Sequence, residues 1–318
     1  MDNPGKGRQT VALSLAATAK PLNEPMRHLL FTLSLLVTAS ATAQYGSFDT
    51  KAIAAAKGTT TVLVLDAGDS PYNRAIMDAM KANWKFTAGY DVATVNDLAM
   101  QPMDATKTYL MKTWKVDPEK HGAFFLTLVQ GWKQKKGEAL QTQDGGFTNI
   151  PVAQELAFIM IDPNAMAADN TSLLLTVYVK NIQDYLKQVE AGKFTDKSTA
   201  DRFYASRNRL LRDNYEIWIA KEHLDKSIPD AATVKASYVK GTAQVMAESQ
   251  LMTAVEAQNK GVCITDVIMT GDHKTRHCFK RVFNAGTGEL MYLADDASLF
   301  GKKEGFIEED LLTLERSR

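Results

Sequence analysis

Short apolar runs separated by amphipathic stretches recur along the chain, and this alternation predicts an α/β (or α+β) fold. The run from Thr61 to Leu65 is typical of a buried strand, and Pro71 favours a helix start shortly after it. A helix is predicted from about Asn96 to Trp114, with a break at Pro102. Further strands are predicted at 90–95, 122–129 and 156–161.

The second half of the chain repeats this order of elements. Its predicted strands lie at 216–220, 243–247, 261–269, 276–283 and 289–294. Its predicted helices lie at 231–239, 249–258 and 306–314. A hairpin turn from Asn284 to Gly288 joins the last two strands. We therefore expect two similar β-α-β-α-β-β units, with mixed sheets flanked by helices. Because the strands and helices follow in the same order in both units, an internal duplication is favoured.

A long helix is predicted between the two units, at about 171–191. Its apolar residues recur at the spacing of one helical face, at Leu174, Tyr178, Ile182, Tyr185 and Val189. A second helix at about 199–212 follows a linker at 192–198. The expected organisation is a first unit at 44–165, connecting helices at 166–213 and a second unit at 214–318.

An export signal is predicted at 26–43. The basic segment Met26-Arg27-His28 precedes an apolar run from Leu29 to Val37, and Ala41-Thr42-Ala43 is typical of a signal-peptidase site. Cleavage is therefore expected between Ala43 and Gln44. The apolar run is too short to cross about 30 Å of hydrocarbon, so we expect no permanent membrane anchor.

Removal of this signal changes the charge of the protein. Residues 1–43 contain four basic and two acidic residues, so the mature chain has 33 Lys and Arg against 35 Asp and Glu, a formal charge of −2. This balance gives no electrostatic reason to expect nucleic-acid binding.

The predicted location is the periplasm or the extracellular space, and residues 1–25 are interpreted as an upstream mis-start or a disordered segment. The alternative is a disordered tail before a buried core helix.

Asp66 and Asp69 are the candidate ligand-binding residues. Both lie in the loop after the first predicted strand, and ligands of parallel α/β sheets bind beyond the carboxyl ends of strands. Carboxylates there could hold Mg²⁺. The alternative is structural, because Asp69 or Ser70 can cap the helix that begins at Pro71. Hydrolases with paired aspartates have the acids two residues apart, a spacing that this loop lacks.

The only cysteines, Cys263 and Cys278, lie on successive predicted strands. An oxidising compartment would permit a disulfide. The predicted pairing of Thr270 with Thr275 offsets the cysteines by four residues, about 13 Å along the strands. A disulfide needs Cα atoms within about 7 Å, so two separate thiols are expected.

The sequence carries no motif of established catalytic or cofactor chemistry. It has no Gly-x-Ser-x-Gly, Walker-type loop or Gly-x-Gly-x-x-Gly. His273, His277 and Cys278 could only partly converge on a metal, because successive strand residues point to opposite faces. We therefore predict no catalytic residue, metal site or cofactor, and whether the protein is an enzyme stays open.

Several short motifs carry a resemblance to a known group of proteins. They are Leu65-Asp66 followed by Asp69-Ser70-Pro71-Tyr72-Asn73, then Arg276-His277-Cys278-Phe279-Lys280, Leu290-Met291-Tyr292 and Gly305-Phe306. Over roughly 59–314 the chain resembles secreted proteins of Bacteroidota bacteria, a family without an assigned activity. The resemblance implies an exported two-part α/β protein, in the periplasm rather than at the cell surface, and implies no catalytic residue.

Three function hypotheses follow. The first is a non-enzymatic binding or assembly protein of the bacterial envelope, with an envelope protein as a possible partner. The alternative is a hydrolase or ligand-binding enzyme that uses the crevice between the units, with Asp66 and Asp69 at its edge. The third is a structural thiol protein built on Cys263 and Cys278.

Overall fold

Helices flank two mixed β-sheets in the computed structural model, which describes residues 45–116, 121–135, 137–162, 173–272, 275–299 and 302–317. The described residues form eight α-helices and twelve strands, which confirms the mixed α/β class. The predicted export signal, its cleavage residues Ala43 and Gln44, and residues 1–25 lie outside this range. Within it, no helix has the length and apolar character needed to cross a membrane.

The first sheet has the strand order β2-β1-β3-β4-β7. Its strands are β1 (Thr60–Leu65), β2 (Tyr90–Thr94), β3 (Lys107–Val116), β4 (Gly122–Gln130) and β7 (Glu155–Ile161), with the short hairpin β5 (Thr142–Gln143) and β6 (Gly146–Phe147) beside β3. Strand β1 is parallel to β2 and β3, whereas β4 is antiparallel to β3 and β7. The helices of this half are α1 (Thr50–Lys57), α2 (Pro71–Asn83) and α3 (Val95–Met100).

The second sheet has the order β9-β8-β10-β11-β12. Its strands are β8 (Glu216–Ala220), β9 (Thr242–Met246), β10 (Val262–Gly271), β11 (Thr275–Asn284) and β12 (Leu290–Leu299). The later helices are α4 (Leu174–Glu190), α5 (Lys197–Asn214), α6 (Ala231–Ser237), α7 (Glu248–Glu256) and α8 (Glu308–Arg316). Strand β8 is parallel to β9 and β10, and β11 is antiparallel to β10 and β12. Both sheets thus share one strand order and one set of strand directions.

The helix predicted from Asn96 to Trp114 is wrong in its second part. Helix α3 ends at Met100, and Gln101 before Pro102 has extended backbone angles, because a residue before proline disfavours the helical region. Residues from Lys107 form β3, which pairs with β1 and with β4. Its β-branched and aromatic residues favour a strand, and this central position buries both of its faces.

Helix α4 lies between the two halves and packs into a core that they share. The five residues of its predicted apolar face, Leu174, Tyr178, Ile182, Tyr185 and Val189, are all buried. The same core contains residues from both sheets, including Leu63, Leu126, Ile264 and Phe283. Each fully buried Leu, Ile or Phe side chain contributes about 1.5–3 kcal/mol relative to exposure.

The two sheets also touch directly. Phe125 on β4 and Phe158 on β7 meet edge to face with ring centroids 5.6 Å apart. The same cluster contains Ala123 on β4, Met160 on β7, Ile268 on β10 and Phe279 on β11. The sheets therefore meet along these four strands, and the candidate site described below lies at this junction.

The register of β10 and β11 differs from the predicted one by two residues. Thr270 lies opposite His277, and Gly271, with φ of +86°, continues β10 opposite Arg276. Cys278 lies opposite Met269, six residues from Cys263, which is about 20 Å along the strand. Both thiols are free and buried, which confirms the prediction of separate thiols.

Candidate binding site

Asp66 follows β1 directly, at the carboxyl end of a parallel strand as predicted. Its carboxylate lies 2.6 Å from the ammonium of Lys112 on β3, and Lys112 lies over the ring of Tyr72 at 4.4 Å. The side chains of Asp66 and Lys112 are only 24% and 13% exposed. The pair links β3 to the loop after β1, and Mg²⁺ would have to displace Lys112 to bind Asp66.

Asp69 has a different environment from Asp66. Its exposed side chain pairs with Arg74 at 2.8 Å, whereas Ser70 caps α2 by accepting the Asn73 amide at 3.1 Å. Buried Asn73 holds the loop, because its side chain accepts from the Asp66 amide and donates to the Asp66 and Gly68 carbonyls. The two acids thus contact separate cations, and neither lines the cavities described below.

His277 pairs with a carboxylate on the neighbouring strand. Its Nε2 lies 2.7 Å from Asp295 Oδ2 on β12, and its ring packs against Phe279. Cys278 is the next residue along β11 and therefore faces the opposite side of the sheet. His273 lies outside the described residues. In the part of the chain that the structure describes, no three His, Cys, Asp or Glu side chains are grouped to hold a metal.

A mainly apolar cavity of about 50 Å³, which we call the chamber, lies between the two sheets. Strands β4 and β7 form one wall, and β11 and β12 form the other. The lining side chains are Tyr45, Phe125, Phe158, Ile159, Met160, Asn181, Tyr185, Tyr204, Phe279, Arg281, Phe283, Leu290 and Leu293. Both halves of the molecule therefore build this cavity.

Arg281 places a charged group in the chamber wall although it is only 5% exposed. One terminal nitrogen donates to the Met160 carbonyl at 2.9 Å and the other to Asp266 at 2.5 Å. Tyr178 donates to the same Asp266 oxygen at 3.0 Å, and burial raises the pKa of this tyrosine. Asp266 thus balances the charge of Arg281, but Arg281 Nε has no hydrogen-bond partner among the described residues.

A wider polar cavity of about 600 Å³, which we call the cleft, adjoins the chamber. Tyr45, Tyr204 and Leu293 line both cavities. The Tyr45 hydroxyl donates to Asp201 at 2.6 Å, and its ring is parallel to the Tyr204 ring with centroids 6.0 Å apart. The charged residues of the cleft are Lys197, Asp201, Asp295, Asp296, Lys303, Glu309 and Asp310. The cleft wall therefore has five carboxylates and two ammonium groups.

Lys280 lies fully buried behind the cleft and fixes part of its wall. Its ammonium donates to Asp296 at 2.6 Å and to Asp310 at 2.5 Å, and Tyr292 donates to Asp310 at 2.7 Å. Burial alone would lower the pKa of Lys280, but the hydrogen bonds to both carboxylates outweigh it and raise this pKa. Burial would likewise raise the pKa of Asp296, but hydrogen bonds from Lys280 and Lys303 lower it. Lys280 and Asp296 therefore remain charged near neutral pH.

Sequence reasoning missed the residues that line the chamber and the cleft. One local signal was present in β11. His277, Phe279, Arg281 and Phe283 share one face of this strand, so the charged Arg281 lies between two phenylalanines. Tyr45, Asp201 and Asp295 come from separate segments, and no local pattern connects them.

Comparison of the chain with protein-family models, curated proteins and solved structures found no match.

Proposed function

We propose that this chain is a non-enzymatic binding protein of the bacterial envelope, exported through the signal at 26–43 and active in the periplasm or extracellular space. The observation that supports binding is the pair of adjoining cavities, chamber and cleft, at the junction of the two halves. Ligand sites in proteins are concave, largely apolar and furnished with a few polar groups, and they measure about 300–1,000 Å³. The cleft has a volume in this range and supplies polar groups, and the adjoining chamber supplies a mainly apolar surface.

The matching sheets support a second part of the proposal, an internal duplication. The order and directions of the five main strands are the same in both halves, and the helices and strands follow in the same sequence apart from the hairpin β5–β6 of the first half. Two copies of one unit, packed together, create a junction that a single unit does not have. We propose that the ligand site arose at this junction, which agrees with the resemblance to exported two-part α/β proteins.

Recovery of a bound molecule tests the binding function. The protein is purified from envelope fractions under native conditions and denatured, and the released small molecules are identified by mass spectrometry. Leu293→Trp fills the position shared by both cavities, and Leu210→Trp places the same bulk at a side chain that is 50% exposed on α5. We expect a released molecule from the wild type and Leu210→Trp but not from folded Leu293→Trp. Equal recovery from both variants, or none from the wild type, contradicts the proposal.

Export is tested separately. N-terminal sequencing of protein from the periplasmic fraction should begin at Gln44, and a chain that retains residues 26–43 in the cytoplasm would overturn this part. The envelope-protein partner stays a prediction, for which affinity capture from native envelopes is the measurement. The hydrolase alternative at Asp66 and Asp69 also stays a prediction.

A further inference from the structure

We infer that the chamber binds a neutral ligand through an aliphatic alcohol group, whose hydroxyl donates to Asn181 and accepts from Tyr204. This inference rests on the proposed binding function and names the class of ligand. Three observations support it: two polar side chains of the chamber wall that have no partner among the described residues, the apolar wall around them, and the small volume of the cavity.

Asn181 on α4 supplies an amide oxygen that has no donor. The residue is only 8% exposed, and it lines the chamber. Its Nδ2 donates to the Gly288 carbonyl at 3.1 Å, which fixes the orientation of the amide and leaves Oδ1 as an acceptor. No donor among the described residues reaches Oδ1, and this oxygen keeps some accessible surface. A ligand O–H or N–H would satisfy it.

Tyr204 on α5 supplies a hydroxyl in the same condition. The residue is 5% exposed and lines the chamber as well as the cleft. The other two tyrosines of the chamber wall, Tyr45 and Tyr185, already donate to protein groups. In the part of the chain that the structure describes, the Tyr204 hydroxyl has no partner, and it keeps accessible surface, unlike the sealed hydroxyls of Tyr72 and Tyr238. A ligand hydroxyl is the smallest neutral group that can donate to an amide oxygen and accept from a phenol.

The rest of the chamber wall favours a neutral, apolar ligand. Phe158, Phe279 and Leu293 are typical of it, so an alkyl group gains free energy by leaving water, whereas a bound water finds few polar partners. The charge of Arg281 is already balanced by Asp266 at 2.5 Å. A charged ligand would therefore add a buried ion without a counter-charge.

The volume of the chamber limits the part of the ligand that it holds. About 50 Å³ accommodates roughly three or four water-sized groups. Cavities that bind benzene measure about 150 Å³, so an aromatic ring exceeds this space. A branched or straight segment of about three carbon atoms with its hydroxyl matches it.

Three small probes of nearly equal shape test the ligand class on the wild-type protein. 2-Propanol donates and accepts, propanone only accepts, and isopropylammonium carries a charge. The readout is methyl NMR of Met160, which lines the chamber, with the exposed Met100 as an internal control. We expect 2-propanol to shift Met160 alone and to bind about fivefold more tightly than propanone, which leaves Asn181 without a donor. Isopropylammonium should give no saturable shift.

A matched pair of variants tests the hydroxyl of the wall. Tyr204→Phe and Tyr185→Phe each remove one phenol oxygen from the chamber, but the Tyr185 hydroxyl is occupied by the Ser47 carbonyl. Affinity for 2-propanol and for propanone should fall about fivefold in Tyr204→Phe, because both accept from that hydroxyl, and stay unchanged in Tyr185→Phe.

Asn181→Leu tests the amide oxygen. This variant should lose the preference for 2-propanol over propanone, because neither probe then finds an acceptor in the wall. Xenon, which needs no hydrogen bond, should bind the wild type and all three variants, and so show that each variant keeps the cavity.

The outcomes separate this inference from the proposed function. Equal affinity for 2-propanol and propanone, saturable binding of isopropylammonium, equal behaviour of Tyr204→Phe and Tyr185→Phe, or a native ligand without an aliphatic hydroxyl overturns the ligand class. In each of these cases a molecule recovered from envelope protein still supports a binding protein. No recovered molecule together with no shift of Met160 by any probe contradicts both.

Discussion

Asp66 and Asp69 carry the same charge three residues apart, yet their surroundings give them different energetic roles. Asp66 is mostly buried against Lys112, whereas Asp69 is exposed beside Arg74. Exposed ion pairs contribute little to stability, but removing one partner of a buried pair leaves the other charge without compensation. Burial, rather than residue type, therefore decides what each carboxylate contributes.

We predict that Asp66→Asn lowers the free energy of unfolding by about 1–2 kcal/mol, because the partly buried Lys112 ammonium loses its counter-charge. The control Asp69→Asn should change it by less than about 0.5 kcal/mol. Urea unfolding of both variants measures these differences. If Mg²⁺ stabilises the wild type but neither variant, the hydrolase alternative gains support and the purely structural interpretation is wrong.

The two thiols should be unreactive in the folded protein. Burial raises the pKa of Cys263 and of Cys278 to about 12, and the thiolate is the reactive form. We expect alkylation of both only after denaturation, and the same protein mass before and after reduction. Rapid alkylation of the native protein would contradict this prediction. An unreduced mass lower by two hydrogens would contradict it as well and favour the structural-thiol hypothesis.

Sequence reasoning at the residue scale succeeded where the physics is local. Ser70 and Pro71 could be assigned to a helix start because capping depends on neighbours in the chain. The partners of Asp66 and Arg281 could not be assigned, because Lys112 is 46 residues away and the Met160 carbonyl is 121 residues away.

Helix α8 is attached to the second sheet by buried charge rather than by apolar contacts alone. Asp310 on α8 accepts hydrogen bonds from Lys280 and Tyr292, and also from the Ile307 amide at 2.9 Å. The same residue belongs to the cleft wall. The attachment of the helix and the shape of the cleft therefore depend on one carboxylate.

We predict that Asp310→Ala destabilises the fold by about 3 kcal/mol, because Lys280 keeps only one of its two buried partners. The neighbouring change Glu308→Ala, at an exposed position on the same helix, should cost less than about 0.5 kcal/mol. Urea unfolding compares the two variants. A loss below about 1 kcal/mol in Asp310→Ala would show that apolar packing alone holds α8.

The same cluster makes stability depend on pH in a defined direction. The pKa of Asp296 is lowered in the folded state, so its contribution is present above about pH 4 and is lost as pH falls through the lowered value. The pKa of Lys280 is raised, so its contribution is present below about pH 10 and is lost as pH rises through the raised value. Unfolding free energies should fall more steeply in acid for the wild type than for Asp296→Asn. Parallel curves would contradict this assignment.

Most elements were predictable from apolar periodicity, and β3 shows where that fails. Its buried run Thr108-Tyr109-Leu110-Met111 has apolar residues on both faces, so its sequence does not show the alternation of a half-buried strand. The strand conformation of β3 depends on its pairing with β1 and β4, and a local sequence pattern does not show this pairing.

The shared core around α4 ties the two halves together. Its residues come from both sheets, and Lys180 and Asn181 on α4 donate to the Gly286 and Gly288 carbonyls of the second half. The order of elements in each half could be predicted from the sequence. The packing of both on one helix could not, because apolar periodicity identifies a buried face but not the surface that covers it.

We predict that the protein unfolds in one cooperative transition, since neither half can keep its core without α4. Differential scanning calorimetry should give a calorimetric enthalpy equal to the van't Hoff enthalpy. Fluorescence of Trp84 in the first half and Trp218 in the second should change at one temperature, with single-tryptophan variants as the controls. Two separated transitions would show that the halves are independent folding units.

The position of Tyr45 has a practical consequence for anyone who produces this protein. Its ring lies in the partition between chamber and cleft, so residues fused ahead of it would begin beside both cavities. An affinity tag or a leftover protease-recognition sequence at that end would compete with ligands for the cavity. Binding experiments should therefore compare protein with and without residues fused at that end.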